Sequence, residues 1–595
     1  MSYSIKDFLI TSRPAHPSLS PDGNLVAFLN NESGINQLYV LDITKGTVGR
    51  LTNFDEPISE AKFSPQESRI IFLTDKGGNE NSQIYLYNLK QGNFKQLSTN
   101  SDVKNLFGCW SPDGNQIAFS SNERDRKSFD VYILNLVGQK IEPVIQTGGW
   151  YEAFSFSHDN KYLVLKKKYS AQNYQLYLVN LSDKSVKQIN PSPSSAKYDR
   201  AVWRKDNTGF FTITDHEREF KGLAFYELAT NKLVYVFNPN WDVEKIDMSA
   251  DGATLALSVN ENGYSKLFLL NIADLAVKST ATPSQSVIKE LIWQGQNKTL
   301  LLQLESASSP PYLTLLNITT GEVKDIFQNQ SALPKKIFVE ANLNKYPSYD
   351  GLEIPTFSYV LSNTEGKKYP AIVWVHGGPE AQHRPEFDGI IQYLVYSGFA
   401  VIAPNIRGST GYGKTYSSLD NVSLRFNCFE DLEYLHKYIA KEMPFIDIKS
   451  TALMGRSYGG FMVLAGLAFK PELWAAGIDI VGISNFITFL QNTSAYRRKQ
   501  REAEYGDLEK DAGILQKLSP IHQVDKIRAP LLVVHGANDA RVPVSEAEQI
   551  VREIKNRGGA AELIVYPDEG HQIHKLKNRL DLYSKIIQFL ETCLK

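Results

Sequence analysis

The stretch Ser111-Pro-Asp-Gly-Asn-Gln-Ile-Ala-Phe119 decides the fold of the first half of this chain, because copies of it recur at intervals of about 45 residues. Clear copies begin at Ser20, Ser64 and Ser157, and fainter ones begin at Arg204, Ser249 and Trp293. Each copy has the pattern of a turn followed by an apolar strand. A second strand of alternating aromatic and aliphatic residues follows, as in Gln83-Ile-Tyr-Leu-Tyr-Asn88. The pattern predicts repeated antiparallel hairpins.

The constant period distinguishes between two all-β architectures. A unit of about 45 residues with roughly four short strands is typical of a propeller blade, whereas a β-sandwich explains the strands but not the period. The Asp-Gly pairs in the markers supply the positive φ that tight turns require. Seven markers predict seven blades. We therefore expect residues 1–335 to form a seven-bladed β-propeller that includes a short N-terminal segment.

The pattern changes near Gln328-Asn-Gln-Ser-Ala-Leu-Pro-Lys-Lys336. Beyond this point short apolar strands alternate with helical segments, from Ala371-Ile-Val-Trp-Val375 to Glu562-Leu-Ile-Val-Tyr566. Near-continuous apolar strands separated by helices indicate a parallel sheet that is covered on both faces. The chain is thus predicted to be multidomain. Ligands of such sheets bind at the carboxyl ends of the strands, so reactive residues are expected there.

One such residue is Ser457, in the run Gly455-Arg-Ser-Tyr-Gly459. The run follows a strand that ends at Met454 and precedes the apolar segment 461–469. A serine in a sharp turn between a strand and a helix is typical of the nucleophile elbow of an α/β-hydrolase domain. The alternative is a serine that only caps the helix. Residues 336–595 are therefore predicted to form an α/β-hydrolase catalytic domain with Ser457 as its nucleophile.

A serine nucleophile needs a base, and on this fold the chain order is serine, acid, histidine. His571 lies in the loop between the last predicted strand and the last predicted helix, where that order places the base. His574 is the alternative. His522 and His535 are expected to serve packing or hydrogen bonding.

The acid must orient the imidazole and stabilise its protonated form. Asp539 lies just after the predicted strand 531–534, which suits this role. Asp568 is a rival close to His571, although a turn before Glu-Gly explains it better. The reaction also needs donors for the oxyanion. We expect them to be the backbone N–H groups of Tyr458 and of Gly378, for which a simple glycine turn is the alternative.

Composition and charge argue against several classes of function. The 64 basic side chains nearly cancel the 65 acidic ones, so nothing points to nucleic acid or an anionic membrane. No apolar run reaches the ~20 residues that span a bilayer, and the N-terminus lacks the pattern of a secretory signal. Cys109, Cys428 and Cys593 show no C-x-x-C spacing. We expect a cytoplasmic protein with no metal and no cofactor, and the sequence leaves a homo-oligomer open.

Five motifs in this order resemble the prolyl oligopeptidase family of serine peptidases, and within it the acylaminoacyl-peptidase-like branch. They are His376-Gly-Gly-Pro379, Asn405-Ile-Arg-Gly-Ser-Thr-Gly-Tyr-Gly413, Gly455-Arg-Ser-Tyr-Gly-Gly460, Asn538-Asp-Ala-Arg-Val-Pro543 and Gly570-His571. With the predicted propeller, the resemblance covers nearly the whole chain. It implies that the residues singled out above form the triad and oxyanion hole of a peptidase that works through an acyl-enzyme.

The resemblance also implies residues that bind the substrate. Arg541 matches the family arginine that binds a backbone carbonyl of the substrate, with a local salt bridge as the alternative. Phe486 and Phe489 are candidates for the apolar pocket of the residue before the scissile bond, although two aromatics at this spacing also suit the core. In this family the propeller covers the active site, so short peptides are the expected substrates.

One departure from the family pattern bears on the substrate class. Family members that remove dipeptides hold the free amine with paired propeller glutamates. The run Trp150-Tyr-Glu-Ala-Phe154 offers only Glu152, unless Glu217 or Glu219 substitutes. We therefore expect release of N-acylated residues first, then cleavage within oligopeptides, then dipeptide release. A carboxylesterase and an inactive propeller scaffold are the remaining alternatives.

Overall fold

The computed structural model describes residues 3–192, 195–280, 285–295, 298–328, 333–361, 366 and 368–595. In this part of the chain, seven four-stranded antiparallel sheets lie between Ala15 and Phe327, and one eight-stranded sheet follows. The predicted seven-bladed β-propeller is confirmed. The predicted α/β-hydrolase domain is confirmed as well.

Each blade consists of four consecutive strands, and the fourth strand is fully exposed in blades 1 and 2. The strands are Ala15–Leu19, Leu25–Asn30, Gln37–Asp42 and Thr47–Arg50 in blade 1; Ile58–Phe63, Arg69–Thr74, Gln83–Asn88 and Asn93–Gln96 in blade 2; Asn105–Trp110, Gln116–Ser121, Asp130–Asn135 and Lys140–Ile145 in blade 3; Trp150–Phe156, Tyr162–Ser170, Asn173–Asn180 and Val186–Gln188 in blade 4; Tyr198–Trp203, Gly209–Thr214, Gly222–Glu227 and Lys232–Phe237 in blade 5; Asp242–Met248, Thr254–Glu261, Tyr264–Asn271 and Val277–Thr280 in blade 6; and Val287–Gln294, Thr299–Ser306, Ser309–Asn317 and Val323–Phe327 in blade 7.

The recurring marker is a turn with the same hydrogen bond in different blades. Ser20 Oγ donates to Asp22 Oδ1 at 2.5 Å, and Ser111 Oγ donates to Asp113 Oδ1 at the same distance. Gly23 follows the first pair with φ 71°, in the region that favours glycine. The marker is therefore a structural element of the blade.

The ring closes by side-chain packing between blades 1 and 7, each of which contains only its own consecutive strands. Phe28 of blade 1 packs against Phe327 of blade 7, with 4.9 Å between ring centroids. Gln294 Nε2 donates to the carbonyl oxygen of Gly23 at 2.8 Å. Apolar contacts and a side-chain hydrogen bond thus join the two ends of the propeller.

The hydrolase domain is built on one mixed sheet, with strands labelled in chain order. They are β1 (Asn342–Pro347), β2 (Glu353–Tyr359), β3 (Tyr369–Val375), β4 (Ala400–Pro404), β5 (Ile446–Arg456), β6 (Ala476–Ile480), β7 (Leu531–Gly536) and β8 (Ala561–Tyr566). Their order across the sheet is β1-β2-β4-β3-β5-β6-β7-β8. Strands β3 to β8 run parallel, as predicted, whereas β1 and β2 are antiparallel additions. Polar and apolar residues alternate in β1, so the sequence contains no apolar run there that would have predicted the strand.

The α-helices of the described residues are α1 (Ile5–Leu9), α2 (Gly389–Tyr396), α3 (Phe426–Glu442), α4 (Tyr458–Phe469), α5 (Phe486–Asn492), α6 (Ala495–Tyr505), α7 (Ala512–Leu518), α8 (Ser545–Asn556) and α9 (Leu576–Leu594). Short 3-10 turns span Lys335–Ile337, Tyr416–Ser418, Val422–Arg425 and Pro520–Lys526. Alternate residues of a strand point to opposite faces of the sheet. Val373 accordingly packs with α3, α4 and α8, whereas Ile372 packs with α1, α2 and α9.

The N-terminal segment joins the hydrolase domain, although the prediction grouped it with the propeller. Ile5 and Leu9 of α1 lie in the apolar core between the sheet and α9. The predicted domain boundary after residue 335 lies between Phe327, the end of blade 7, and Asn342, the start of β1. Residues 329–332 of the predicted junction lie outside the described residues.

Candidate active site

Ser457 occupies a sharp turn between β5 and α4. Its backbone has φ 59° and ψ −119°, a strained conformation for a residue with a side chain. A Cβ on Gly455 would lie 2.4 Å from the Gly459 carbonyl carbon, and one on Gly459 would lie 2.1 Å from Val375 O, so only glycine fits at both positions. Within the described chain the Ser457 side chain makes no capping hydrogen bond to the helix. This arrangement suits a nucleophile at the carboxyl end of β5 better than a helix cap.

Asp539 and His571 meet because β7 and β8 are adjacent parallel strands. Asp539 follows β7, His571 follows β8, and Nδ1 of the histidine bonds to Oδ2 of the aspartate at 2.7 Å. Asp539 Oδ1 accepts the backbone N–H groups of Arg541 at 2.8 Å and Val542 at 3.0 Å. Because Nδ1 donates to the carboxylate, Nε2 is the basic nitrogen of the ring. The structure thus brings the predicted acid and the predicted base together.

Burial and hydrogen bonding set the charges of this pair. His571 is 5% exposed, and burial lowers its pKa although the hydrogen bond and charge of Asp539 oppose the shift. Burial acts to raise the pKa of Asp539, but hydrogen bonds with His535 and His571 outweigh it and hold that pKa well below its usual range. At neutral pH the histidine is therefore neutral and the aspartate ionised, as general base catalysis requires.

The rival residues have other surroundings. Asp568 accepts hydrogen bonds from Lys575 Nζ at 3.1 Å and Asn578 Nδ2 at 3.0 Å. His574 is exposed and lines a separate cavity. His522 is exposed. These contacts favour Asp539 and His571 over the alternatives.

Two further ionisable groups lie behind Asp539, and the sequence prediction did not connect them to the site. His535 is fully buried; its Nε2 bonds to Val542 O at 2.9 Å and lies 3.5 Å from Asp539 Oδ2. Asp479, fully buried on β6, lies close to Gly482, and burial raises its pKa to about 7. In both cases the sequence has a polar residue within an otherwise apolar strand, and this pattern could have pointed to the site.

The two predicted oxyanion donors lie next to the serine in the chain or in space. Tyr458 is the first residue of α4, where helix geometry leaves backbone N–H groups without an intrahelical partner. Gly377 adjoins the elbow, since a Cβ there would lie 3.5 Å from Ser457 Cβ. Gly378 has φ 134°, and its carbonyl accepts a hydrogen bond from Tyr505 at 3.3 Å. The assignment of Gly378 and Tyr458 as donors stays a prediction.

Arg541 contacts the propeller. Its Nε donates to Glu80 Oε1, and Lys104 Nζ donates to the other carboxylate oxygen at 2.7 Å. Glu80 lies between the second and third strands of blade 2, and the same loop presses Gly78 against Gly570, where a Cβ would lie 1.9 Å from Gly78 O. Arg541 is thus in a salt bridge, but with the other domain rather than locally. Its predicted contact with the substrate stays a prediction.

Phe486 and Phe489 lie in the core of the hydrolase domain. Their exposed fractions are 0% and 2%. The Phe486 ring packs against Phe461 at 4.7 Å and Tyr505 at 4.8 Å between centroids. This placement corresponds to the core alternative. Their role in a substrate pocket stays a prediction.

The glutamates considered for binding a free amine have other partners or lie on the surface. Glu152 bonds to Lys166 Nζ at 3.0 Å and to Lys168 Nζ at 2.6 Å. Glu219 accepts two hydrogen bonds from the hydrolase domain, at 2.7 and 2.8 Å. The side chain of Glu217 is 77% exposed. The carboxylate of Glu152 is therefore already matched by two cations.

Comparison with known proteins agrees with both domains. Residues 385–595 match the model of the prolyl oligopeptidase family, and residues 10–129 match the TolB beta propeller domain. The chain contains a prolyl oligopeptidase family domain. The predictions of this family and of a serine peptidase are confirmed.

Proteins with similar sequences or structures align with this chain along most of their length. Dipeptidyl aminopeptidase BIII from Pseudoxanthomonas mexicana is 25% identical over 614 residues, which cover 98% of this chain and 87% of the relative. A puromycin-hydrolyzing peptidase from Mycobacterium tuberculosis has a TM-score of 0.87 at 16% identity, with coverage of 100% and 96%. Acylaminoacyl peptidase from Pyrococcus horikoshii has a TM-score of 0.77 at 19% identity, with coverage of 100% and 98%. The two structures share the two-domain fold.

Among the described residues, no helix combines the length and apolar character that a membrane crossing needs. The same residues contain no group of three or more His, Cys, Asp or Glu side chains placed to hold a metal ion. Cys109, Cys428 and Cys593 are free thiols.

Proposed function

We propose that this peptidase hydrolyses short peptides with Ser457 as nucleophile, His571 as general base and Asp539 as the residue that orients the histidine. The observation that carries the proposal is the 2.7 Å hydrogen bond between Asp539 and His571. The strained elbow of Ser457, next to the parallel strands that hold this pair, supports it. The chain order of serine, acid and histidine is the order of α/β-hydrolases.

Acylation uses each of these groups once. Nε2 of His571 takes the proton of Ser457 Oγ as that oxygen attacks the carbonyl carbon of the substrate. The backbone N–H groups of Tyr458 and Gly378 stabilise the oxyanion that forms. Asp539 stabilises the imidazolium, which then donates its proton to the departing amine. An ester between Ser457 and the acyl part of the peptide remains.

Deacylation repeats the sequence with water. His571 removes a proton from the water that attacks the ester carbon, and the same N–H groups stabilise the second oxyanion. The histidine then returns the proton to Ser457 Oγ. The acid product leaves and the enzyme regains its initial protonation state.

Contacts between the domains support short or flexible peptides as substrates. Arg384 of the hydrolase domain bonds to Glu244 of blade 6 at 2.9 Å. The loop that carries Gly78 packs directly against Gly570, the residue before His571. Because the propeller covers the loops of the catalytic pair, a folded protein has no direct approach to them.

We propose three activities in order of preference. The first is release of N-acylated residues, the second is cleavage within oligopeptides, and the third is release of dipeptides. The two lysines that match Glu152 disfavour this glutamate as a receptor for a free amine. Dipeptide release, the third in this order, is favoured by the name of the relative from Pseudoxanthomonas mexicana. A carboxylesterase remains an outcome of the tests below.

A cytoplasmic location is also proposed. Three thiols without a disulfide suit a reducing compartment. The net charge of −1 gives no electrostatic attraction to nucleic acid or to anionic lipid. Fractionation of cells that express the tagged chain at low level would test the location, and recovery outside the cytoplasm would contradict it.

Active-site labelling tests the assigned roles. A fluorophosphonate probe should modify the wild-type protein at Ser457 and should not modify Ser457→Ala. Hydrolysis by Ser457→Ala should fall by a factor on the order of 10⁴ or more. Labelling of the variant at the active site would refute the nucleophile. A folded wild-type protein that neither reacts with the probe nor hydrolyses any substrate would favour the inactive scaffold.

A matched peptide panel tests the substrate class. Each peptide is prepared with a free and with an acetylated N-terminus, and kcat/KM is measured for both. Higher values for the acetylated set support the proposed order. Release of dipeptides from the free set would favour dipeptidyl peptidase activity, and turnover of simple esters alone would favour a carboxylesterase.

A further inference from the structure

A cavity of about 540 Å³ lies between the hydrolase domain and blades 1 and 7 of the propeller. Its volume falls in the range of small-molecule sites. Three residues that line the cavity are chain neighbours of candidate catalytic residues. Arg456 precedes the nucleophile, Ile573 follows His571 by two positions, and His376 begins the loop of Gly378. The cavity is therefore adjacent to the reacting groups.

Three arginines line this cavity, and none of them takes part in an ion pair among the described residues. They are Arg13 in the N-terminal segment, Arg456 at the end of β5 and Arg579 on α9. By contrast, the cavity residues Arg384 and Lys289 each bond to a carboxylate, at 2.9 and 2.8 Å. We call Arg13, Arg456 and Arg579 the arginine cluster.

The hydrogen bonds of Arg13 and Arg456 named here involve neutral groups. Arg13 Nε donates to Thr11 Oγ1 at 3.2 Å, and its guanidinium lies over the ring of Phe387 at 5.4 Å. Arg456 Nη1 donates to Gln572 Oε1. These contacts hold the guanidinium groups without neutralising them. The cluster therefore keeps its positive charge in a partly enclosed space.

The cluster residues also act on one another. Burial, then the charge of Arg13 and more weakly that of Arg456, lower the pKa of Arg579. Like charges brought together at a low dielectric repel, and an anion bound among them relieves that repulsion.

The acidic residues of the cavity have other partners. Burial, and then the charge of Glu386, raise the pKa of Glu305 to about 7. Glu386 bonds to Lys289. Asp388, whose charge also acts on Arg579, caps α2 by accepting the Ile390 N–H at 2.8 Å. The cavity as a whole therefore favours an anion.

The position of the cluster assigns it to the leaving-group side of the scissile bond. Strand alternation puts Arg456 on the same face of the sheet as Met454, which packs with α9. Phe486, a candidate for the pocket of the residue before the scissile bond, lies in the core on the opposite face of the sheet. Arg541 is the candidate for binding a backbone carbonyl of the substrate. It contacts blade 2 rather than blades 1 and 7. The cavity is thus placed for the C-terminal part of the peptide.

We propose that the arginine cluster binds the C-terminal carboxylate of the substrate, so that the enzyme prefers short peptides with a free carboxylate a few residues beyond the scissile bond. Planar guanidinium groups match the geometry of a carboxylate and form charge-assisted hydrogen bonds with it. The proposal rests on the proposed function, because a leaving-group side exists only if Ser457 attacks a peptide bond.

Matched substrates that differ only at the C-terminus test it. We would compare acetyl-Phe-Ala-Ala as the free acid and as the amide, with acetyl-Phe-aminomethylcoumarin as a reporter without a C-terminal carboxylate. In the wild-type enzyme kcat/KM for the acid should exceed that for the amide by about tenfold or more, mainly through KM. The reporter measures catalysis independently of this site.

Variants then connect the preference to the cluster. Arg579→Gln and, separately, Arg13→Gln should lower the ratio of acid to amide turnover toward one. Two variants are used so that misfolding of one leaves the test intact, and fluorophosphonate labelling of Ser457 verifies each preparation. Arg557→Gln is the matched control, because Arg557 is exposed at the end of α8, and it should keep the wild-type ratio.

The outcomes separate this proposal from the proposed function. A wild-type ratio near one with turnover of the reporter would overturn the carboxylate site alone. So would a high ratio that neither variant changes, because the carboxylate would then be recognised elsewhere. Inhibition by inorganic phosphate with a ratio near one would assign the cluster to a small free anion instead. Absence of both hydrolysis and Ser457 labelling would overturn both proposals.

Discussion

The propeller and the hydrolase domain place their charged side chains differently. In the propeller, Glu152 lies between Lys166 and Lys168. Glu80, at the rim that meets the hydrolase domain, is matched by Lys104 and by Arg541. These carboxylates are partly buried and carry compensating charges nearby.

The hydrolase domain also contains matched buried charges, such as Arg425 with Asp420 and Glu504, but ionisable groups near Ser457 are placed differently. Asp539 and His571 form a buried pair. The carboxyl group of Asp479, on the neighbouring strand β6, is buried as well. Arg456 and Arg579 face a cavity without an ion pair among the described residues.

This difference indicates where the ligand binds. A charge that is already paired must lose its partner before it binds a ligand, and breaking a buried pair is costly. Unpaired or strongly shifted ionisable groups are commonly found at functional sites. The comparison therefore favours the hydrolase domain as the place of catalysis and recognition, and it is consistent with the covering role proposed for the propeller.

Replacing Asp539 by Asn has the largest expected effect on this comparison. The amide cannot stabilise the imidazolium of His571 and favours the wrong tautomer, so kcat should fall about 10⁴-fold. Turnover of acetyl-Phe-aminomethylcoumarin measures the loss, and the melting temperature verifies the fold. Asp568→Asn is the control, because that carboxylate binds Lys575 at the surface. Equal losses in the two variants would contradict the assignment of the acid.

The pH dependence of kcat/KM gives a second, smaller effect. Burial lowers the pKa of His571 from 6.5, so the free enzyme keeps its base neutral as the pH falls to that value. At pH 6.5 kcat/KM should therefore retain more than about half of its plateau, with the acid limb at lower pH. Asp539 stays ionised throughout, because its pKa lies well below its usual range. A midpoint above pH 6.5 would show that the charge of Asp539 outweighs burial.

Removal of the Glu152 charge should have the smallest effect on substrate preference. In Glu152→Gln the ratio of kcat/KM between free and acetylated peptides should change by less than about twofold, because the carboxylate is already paired. Glu322→Gln, at an exposed position of the propeller, is the control. A selective loss of about tenfold or more for free-amine peptides would restore Glu152 as the amine receptor and favour dipeptide release.

Local sequence patterns determined the two folds. The Ser-Pro-Asp-Gly turn depends on neighbouring residues, such as the bond from Ser20 to Asp22, and its regular recurrence predicted the number of blades. The elbow of Ser457 likewise depends on glycines two positions away on either side. The chain order of Asp539 and His571 placed them after successive strands, which parallel pairing then brought together. Each of these signals lies within a few residues or within one repeated unit.

Only the tertiary structure decided which distant segments meet. It placed α1 on the hydrolase domain, paired Glu80 with Arg541, and brought Arg13 to the cavity that Arg456 and Arg579 line. The physical reason is that such contacts depend on how the blades and the sheet pack together. A single charged residue on a loop leaves no periodicity in the sequence, so its partner depends on the relative placement of the two domains.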